Sequence, residues 1–159
     1  MREIHLIDTS VFCHILRVPT MGSPEDHAAA MAELTTMVGR TNVTLLLPMA
    51  TIYETGNHIA KYGDGDARRK VALRFTKLVT EALNGKAPWI PTPLPVMEGM
   101  AGWLADFPAF ATTGVGLGDL SIIRAYEQQR ELNPYARVRI WTLDHHLTGY
   151  DHRPTGPLA

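Results

Sequence analysis

The sequence predicts a single α/β domain built on a parallel sheet, and three observations carry that expectation. Short apolar runs at residues 3–7, 43–47 and 138–143 have the length and composition of buried strands. Longer segments between them place their apolar residues at helical spacing. The two kinds of segment alternate, which implies parallel strands joined by right-handed crossovers, with helices covering both faces of the sheet.

Taken in order, Glu3 to Ile7 is the first strand and ends at Asp8. Thr9-Ser10 opens an apolar segment, Val11 to Leu16, read as a short helix with Ser10 near its cap. Ser23-Pro24-Glu25-Asp26 combines a capping serine, a first-turn proline and two acids facing the positive end of the dipole. It starts a helix that runs to about Val38 and stops at Gly39. Val43 to Leu47 is the second strand, and Pro48 breaks it and introduces a helix carrying Glu54. After a loop at Tyr62 to Asp66, Val71, Phe75, Leu78, Val79 and Ala82 mark a helix from Ala67 to Leu83, ended by Asn84-Gly85.

Ala87 to Pro95 holds four prolines, which excludes a central strand and leaves Trp89-Ile90 able to pair at an edge. A short helix is expected over Glu98 to Asp106, a glycine-containing loop over Ala111 to Gly118, and a helix from about Asp119 to Glu131. Val138 to Leu143 is the last strand, ending at Asp144. Residues 1–150 then form the domain, with 151–159 a poorly ordered tail.

At 159 residues the chain suits one domain with a proper core rather than two. Its formal net charge of −1 supplies no general positive field, so nucleic-acid binding has to come from a local patch. One cysteine, Cys13, excludes an intrachain disulfide framework and reads as a small buried side chain. Charged residues at the start, Met-Arg-Glu-Ile-His, and the lack of any run near ~18 apolar residues lead to the expectation of a cytoplasmic protein with no membrane contact.

Four acids stand where apolar runs meet polar or helix-starting segments: Asp8, Glu54, Asp119 and Asp144. Singly, Asp8 and Asp119 read equally well as helix caps, and Asp144 as a turn residue. Glu54 is more telling, because Thr41 to Tyr53 carries no charge and the next charged residue is Lys61. Crossovers of one hand bring strand ends to one edge, where open α/β sheets bind ligands. Carboxylates gathered there repel unless a cation joins them, and hard Mg²⁺ or Mn²⁺ prefers oxygen ligands. One or two such ions offset the charge and lower the pKa of a bound water.

The ordered set Ile7-Asp8-Thr9-Ser10, a proline six residues before Glu54, Gly116-x-Gly118-Asp119-x-x-Ile122 and Thr142-x-Asp144 resembles the PIN domain over nearly the whole chain. The resemblance implies a three-layer α/β/α sandwich with a central parallel sheet. It also implies a metal-dependent ribonuclease, often the toxin of a VapBC-type toxin–antitoxin pair. On this match Asp8, Glu54, Asp119 and Asp144 are the family's four catalytic, metal-binding acids. Thr142 matches the threonine of the Thr-x-Asp motif and Ser10 the small hydroxyl residue after the first acid. An RNA substrate, a protein antitoxin and a homodimer are the implied partners. The chain departs from the pattern at His145-His146 after the last acid, in Leu120-Ser121-Ile122-Ile123-Arg124 after Asp119, and in its long, proline-rich stretch from Lys61 to Ala111.

Other readings stand beside this one. A PIN-like fold that no longer cuts is a binding module for RNA or protein, and the same acids suit a small metal-dependent phosphatase. Arg68, Arg69, Lys70, Arg74 and Lys77 form either an ordinary solvated helix face or a phosphate-tracking surface. Asp144-His145-His146 spells a phosphoesterase signature, but only thirteen residues follow His146, leaving no room for the second domain it requires. A zinc site from His145, His146 and His152 is disfavoured, because adjacent histidines rarely reach one ion. Gly114, Gly116 and Gly118 lack the lysine and hydroxyl residue of a phosphate-binding loop and read as a mobile loop beside the site.

Overall fold

A computed structural model of the chain describes residues 1–94 and 97–156. Its centre is β1 (Glu3–Ile7), buried along its whole length. β1 pairs in parallel with β2 (Val43–Pro48) on one side and with β4 (Arg137–Trp141) on the other. β3 (Trp89–Thr92) adds in parallel to β2, and β5 (Asp151–His152) adds antiparallel to β4, giving the order β3-β2-β1-β4-β5. The chain leaves β1 toward β2 and returns on the far side at β4. That reversal creates a crevice outside the carboxyl end of β1.

Period-two alternation divides the core into two. Ile4 and Leu6 of β1, Leu46 of β2, and Val138 and Ile140 of β4 face one layer, packing with Ile122, Ile123 and Tyr126. Ile7, Leu45, Leu47 and Trp141 face the other, against Phe12, Leu16, Leu34, Ile59 and Val71. The first layer is carried chiefly by α6 (Leu117–Leu132), joined by α5 (Met97–Thr112). The second is built from α1 (Thr9–Leu16), α2 (Pro24–Val38) and α4 (Gly65–Leu83). α3 (Met49–Lys61) bridges the two, with Ala50 in one cluster and Ile59 in the other. The expected three-layer α/β/α sandwich is the architecture observed, its central sheet parallel except for β5.

The elements depart from expectation at identifiable places. Asp8, not Ser10, caps α1: its side chain accepts from Ser10 N. α5 extends to Thr112 and contains Pro108, because the alanines around that proline keep the segment helical. The loop expected over 111–118 therefore contracts to 113–116, and α6 begins at Leu117 with Asp119 inside its first turn. β4 stops at Trp141, so Thr142 lies past the strand and is free to turn its hydroxyl inward. Residues 151–152 are not tail: they pair with Val138 and Arg139, and Arg137 clamps Asp151 through both carboxylate oxygens at 2.9 and 2.6 Å. Residues 157–159 of the expected tail, and Pro95 of the proline-rich stretch, lie outside the described residues. The rest of that stretch behaves as anticipated, with β3 confined to an edge.

The amino end of the sheet is electrically satisfied. Glu3 pairs with Arg40 and with Arg137. Arg139 pairs with Glu33, whose other oxygen accepts from Trp141 Nε1 at 2.9 Å. Burial and the neighbouring Arg139 hold His5 down at about 4, so this ring is neutral at physiological pH.

At α2 the sequence signal is realised in full. Ser23 Oγ accepts from Asp26 N at 3.1 Å while Asp26 Oδ2 accepts from Ser23 N at 2.8 Å, a reciprocal capping box. Ser23→Ala removes one half of it, and the expected result is a melting temperature lower by on the order of 2–4 °C in a thermal melt.

Candidate active site

The crevice at the carboxyl end of β1 is lined by Asp8, Thr9, Ser10, Glu54, Asp119 and Asp144, with Met21, Asn57, His58 and Lys61 completing its walls. Its volume is about 420 Å³. All four sequence-predicted acids therefore share one cleft although they are spread from residue 8 to residue 144.

Each acid is placed by a different element. Asp8 follows the last residue of β1, and its N–H donates to Trp141 O at 3.0 Å, fixing it beside the exit of β4. Thr51 Oγ1 donates to Ile7 O at 2.7 Å and docks α3 against the end of β1. Glu54, one helical turn further on, is thereby turned toward the cleft. Asp119 lies in the first turn of α6, its Oδ2 3.4 Å from Gly116 N. Asp144 follows the β4 exit, where His146 N donates to its Oδ1 at 2.9 Å.

Hydroxyl groups then set the carboxylates' orientation. Ser10 Oγ and Thr142 Oγ1 donate to Asp8 Oδ2 at 2.7 and 2.8 Å. Leu143 N donates to Ser10 Oγ at 3.0 Å and Asp144 N to Thr142 Oγ1 at 2.8 Å, so one relay joins Asp8 to the backbone of Asp144. Thr9 Oγ1 donates to Glu54 Oε2 at 2.9 Å. Among the described residues, the hydrogen bonds thus fall on a single oxygen of each acid: Oδ2 of Asp8, Oε2 of Glu54, Oδ2 of Asp119 and Oδ1 of Asp144. The second oxygen of each is left to another partner.

Electrostatics point the same way. Among the described residues, no lysine or arginine forms an ion pair with Asp8, Glu54, Asp119 or Asp144, in contrast to Glu3 at the opposite end of β1. Burial raises the pKa of Glu54 above the usual carboxylate range, and the charges of Asp119 and Asp8 add to it against the Thr9 hydrogen bond. Asp119 is raised by burial, then by Asp8 and Asp144. This donor set, all hard oxygens with one free atom each and an uncompensated charge, fits Mg²⁺ or Mn²⁺. Asp8 at 2% exposure is the most enclosed of the four.

No three of these carboxylates bring oxygens within 4.8 Å of one another; among the described residues, that distance is met by Asp144, His145 and His146. The two rings lie 3.9 Å apart, and His145 is 85% exposed. His152 belongs to β5 and is not part of this group. Ser10 and Thr142, expected beside the acids, are there. Cys13 is buried, and burial followed by the charges of Asp8 and Glu54 pushes its thiol up to about 11, so it is no nucleophile. Of the basic residues on α4, Arg74 is engaged at the end of α1, donating to Leu16 O at 2.8 Å, and none of the five lines the cleft.

Sequence reasoning did not single out Asn57 or His58, and gave Gly118 only a place in the Gly-x-Gly-Asp motif and in a mobile loop beside the site, whereas it lies in the first turn of α6. The first two follow from helical phase, since 54, 57, 58 and 61 share one face of α3. The fit of Gly118 against Glu54 emerges only in three dimensions: a Cβ there would stand 1.7 Å from Glu54 Oε1.

Two solved structures share the fold. FitAcB from Neisseria gonorrhoeae matches with a TM-score of 0.57 and 17% identity over 88% of this chain and 87% of that one. FitAB bound to an IR36 DNA fragment matches with a TM-score of 0.54 and 19% identity over 89% and 99%. At such identities the likeness is one of fold. No protein-family model and no curated protein matches the sequence.

Two outcomes follow from the geometry. A carboxylate raised in the folded state contributes stability below its unfolded pKa, which is lost as pH rises through the folded value. In chelator, Glu54→Gln is therefore expected to melt above the wild type at pH 7, with the difference shrinking as pH falls toward 4; a lower melting temperature at pH 7 contradicts the assignment. Gly118→Ala is expected to fold normally and to drive Glu54 off Thr9, seen in a crystal structure as loss of the 2.9 Å contact.

Proposed function

We propose that this chain is a Mg²⁺- or Mn²⁺-dependent endoribonuclease, the toxin half of a toxin–antitoxin pair. The observation that carries the reading is the convergence of Asp8, Glu54, Asp119 and Asp144 in one cleft at the switch point of the sheet. Each carboxylate there is anchored through one oxygen and free at the other. The ordered PIN-like motifs support RNA as substrate. The fold shared with FitAB, together with those motifs, supports a protein antitoxin as partner.

The chain's residues have separable roles in this reading. Asp8 and Asp144, tied together through Ser10 and Thr142, are the principal cation ligands, and Asp119 completes the set for the same or a second ion. A bound divalent cation supplies charge stabilisation to a phosphodiester under attack and makes water easier to deprotonate. Glu54, its pKa raised by burial, orients the attacking water and accepts its proton at the free Oε1. The hydroxyls of Thr9, Ser10 and Thr142 hold the carboxylates in place.

The test is cleavage of a panel of structured and unstructured RNAs with Mg²⁺, with Mn²⁺ and with chelator. Cleavage is expected with either ion and none with chelator. Asp8→Asn is expected to cut at least about 10²-fold more slowly, since each ~1.4 kcal/mol of barrier is tenfold in rate. Asn keeps an oxygen for Ser10 and Thr142 and caps a helix as well as Asp does. The variant's melting temperature in chelator should therefore be unchanged or raised. Near-normal cleavage by folded Asp8→Asn contradicts the proposal.

A further inference from the structure

Three of the cleft's lining residues, Asn57, His58 and Lys61, come from the face of α3 that also carries Glu54. We infer that this face is the strand-binding wall of the cleft, holding the nucleotide next to the scissile phosphate of a single-stranded RNA. The inference rests on the nuclease reading above and adds which residues grip the substrate and on which side of the acids it lies.

Charge gives the first argument. Four carboxylates face a substrate that is itself a polyanion, and Lys61 is the one lysine or arginine among the residues lining the cleft. It lies seven residues beyond Glu54, about 10 Å along the helix axis at 1.5 Å per residue. A phosphate held there is displaced from the acids along α3, away from the point of cleavage.

His58 gives the second. Its Nδ1 is buried and has no hydrogen-bond partner among the described residues. With Nδ1 buried, Nε2 is the ring nitrogen left to meet the substrate's sugar or phosphate oxygens from the cleft wall. Stacking on Tyr62, with centroids 5.9 Å apart and planes inclined by 15°, fixes the ring's attitude. Exposed Asn57 adds an amide beside it, able to pair with a base edge. Met21 across the cleft offers an apolar contact for a base face.

Size selects the form of the nucleic acid. A recess of about 420 Å³ is in the range of small-molecule pockets and takes a splayed-out nucleotide, not a duplex. His58 and Lys61 also sit in the last turn of α3, where positive charge complements the helix dipole. That effect acts on stability and leaves the affinity for RNA unaltered, so kinetics separate the two roles.

The experiment is steady-state cleavage of a single-stranded RNA by the full chain with Mn²⁺ at several salt concentrations. Lys61→Gln is expected to raise KM roughly fivefold to tenfold with kcat within about twofold. It should also flatten the slope of log(kcat/KM) against log salt by about 0.7, the share of one phosphate contact on a single strand. Lys61→Arg should restore both, and His58→Ala should raise KM without changing the salt slope. If the wild type cuts RNA and Lys61→Gln leaves KM and slope unchanged, the α3 wall is refuted and the nuclease reading stands. If the wild type cuts no RNA under any condition, the nuclease reading fails and this inference falls with it.

Discussion

The structure turns on like charge held together at the end of a buried strand. Asp8 is enclosed directly beyond Ile7 and shares its cleft with three more acids. Lys61 is the one lysine or arginine on the walls, and it forms no ion pair with any of them among the described residues. Two hydroxyls and a backbone N–H converge on Asp8 Oδ2, and through Ser10 and Thr142 the same hydrogen bonds reach the backbone of Asp144. The amino end of the same strand shows the ordinary solution to a buried carboxylate: Glu3 lies between two arginines. The two ends of β1 thus differ in kind: the carboxylate at one is neutralised by arginines, and those at the other form no ion pair with lysine or arginine among the described residues. Burial and mutual repulsion raise Glu54 and Asp119, a cost to the folded state that a divalent ion bound as proposed would offset.

The sheet makes this arrangement possible. Because β2 and β4 flank β1 on opposite sides, residues after β1 and after β4 meet directly, and α3 and α6 approach from the two layers. Alternating faces send Ile4 and Leu6 to one core and Ile7 to the other, so the crevice opens between two independently packed halves. α3 belongs to both. Its Thr51 bonds to β1, its Glu54 faces the acids, and the turns beyond carry Asn57, His58 and Lys61 along the cleft. Gly118 completes the fit from α6, since the space a side chain would fill there belongs to Glu54.

Much of this was legible in the sequence because it depends on local rules. The β1 and β2 runs, the Ser23 cap of α2 and the edge position of the proline-rich β3 each follow from residue chemistry at known spacing. Asp8, Asp119 and Asp144 were visible because they stand at strand ends or a helix start, and Glu54 because the stretch before it carries no charge. What escaped depends on tertiary context. α5 outlasts its expected end because surrounding alanines tolerate Pro108, and β5 forms because Arg137 captures Asp151 across the strand pair. Ser10 does not cap α1 because its hydroxyl is directed to Asp8, which fills the cap position that the sequence also allowed it. His58 was unremarkable in sequence, since its buried Nδ1 and its stacking on Tyr62 exist only once α3 is docked.

The central proposal is that Asp8, Asp119 and Asp144 hold a cation through the oxygens their hydrogen bonds leave over, and anomalous diffraction from crystals soaked in Mn²⁺ tests it most directly. The account predicts a peak in the cleft about 2.1 Å from Asp8 Oδ1, with Asp144 and Asp119 closing around it. A cleft without a peak, or a peak confined to His145 and His146 on the rim, contradicts it.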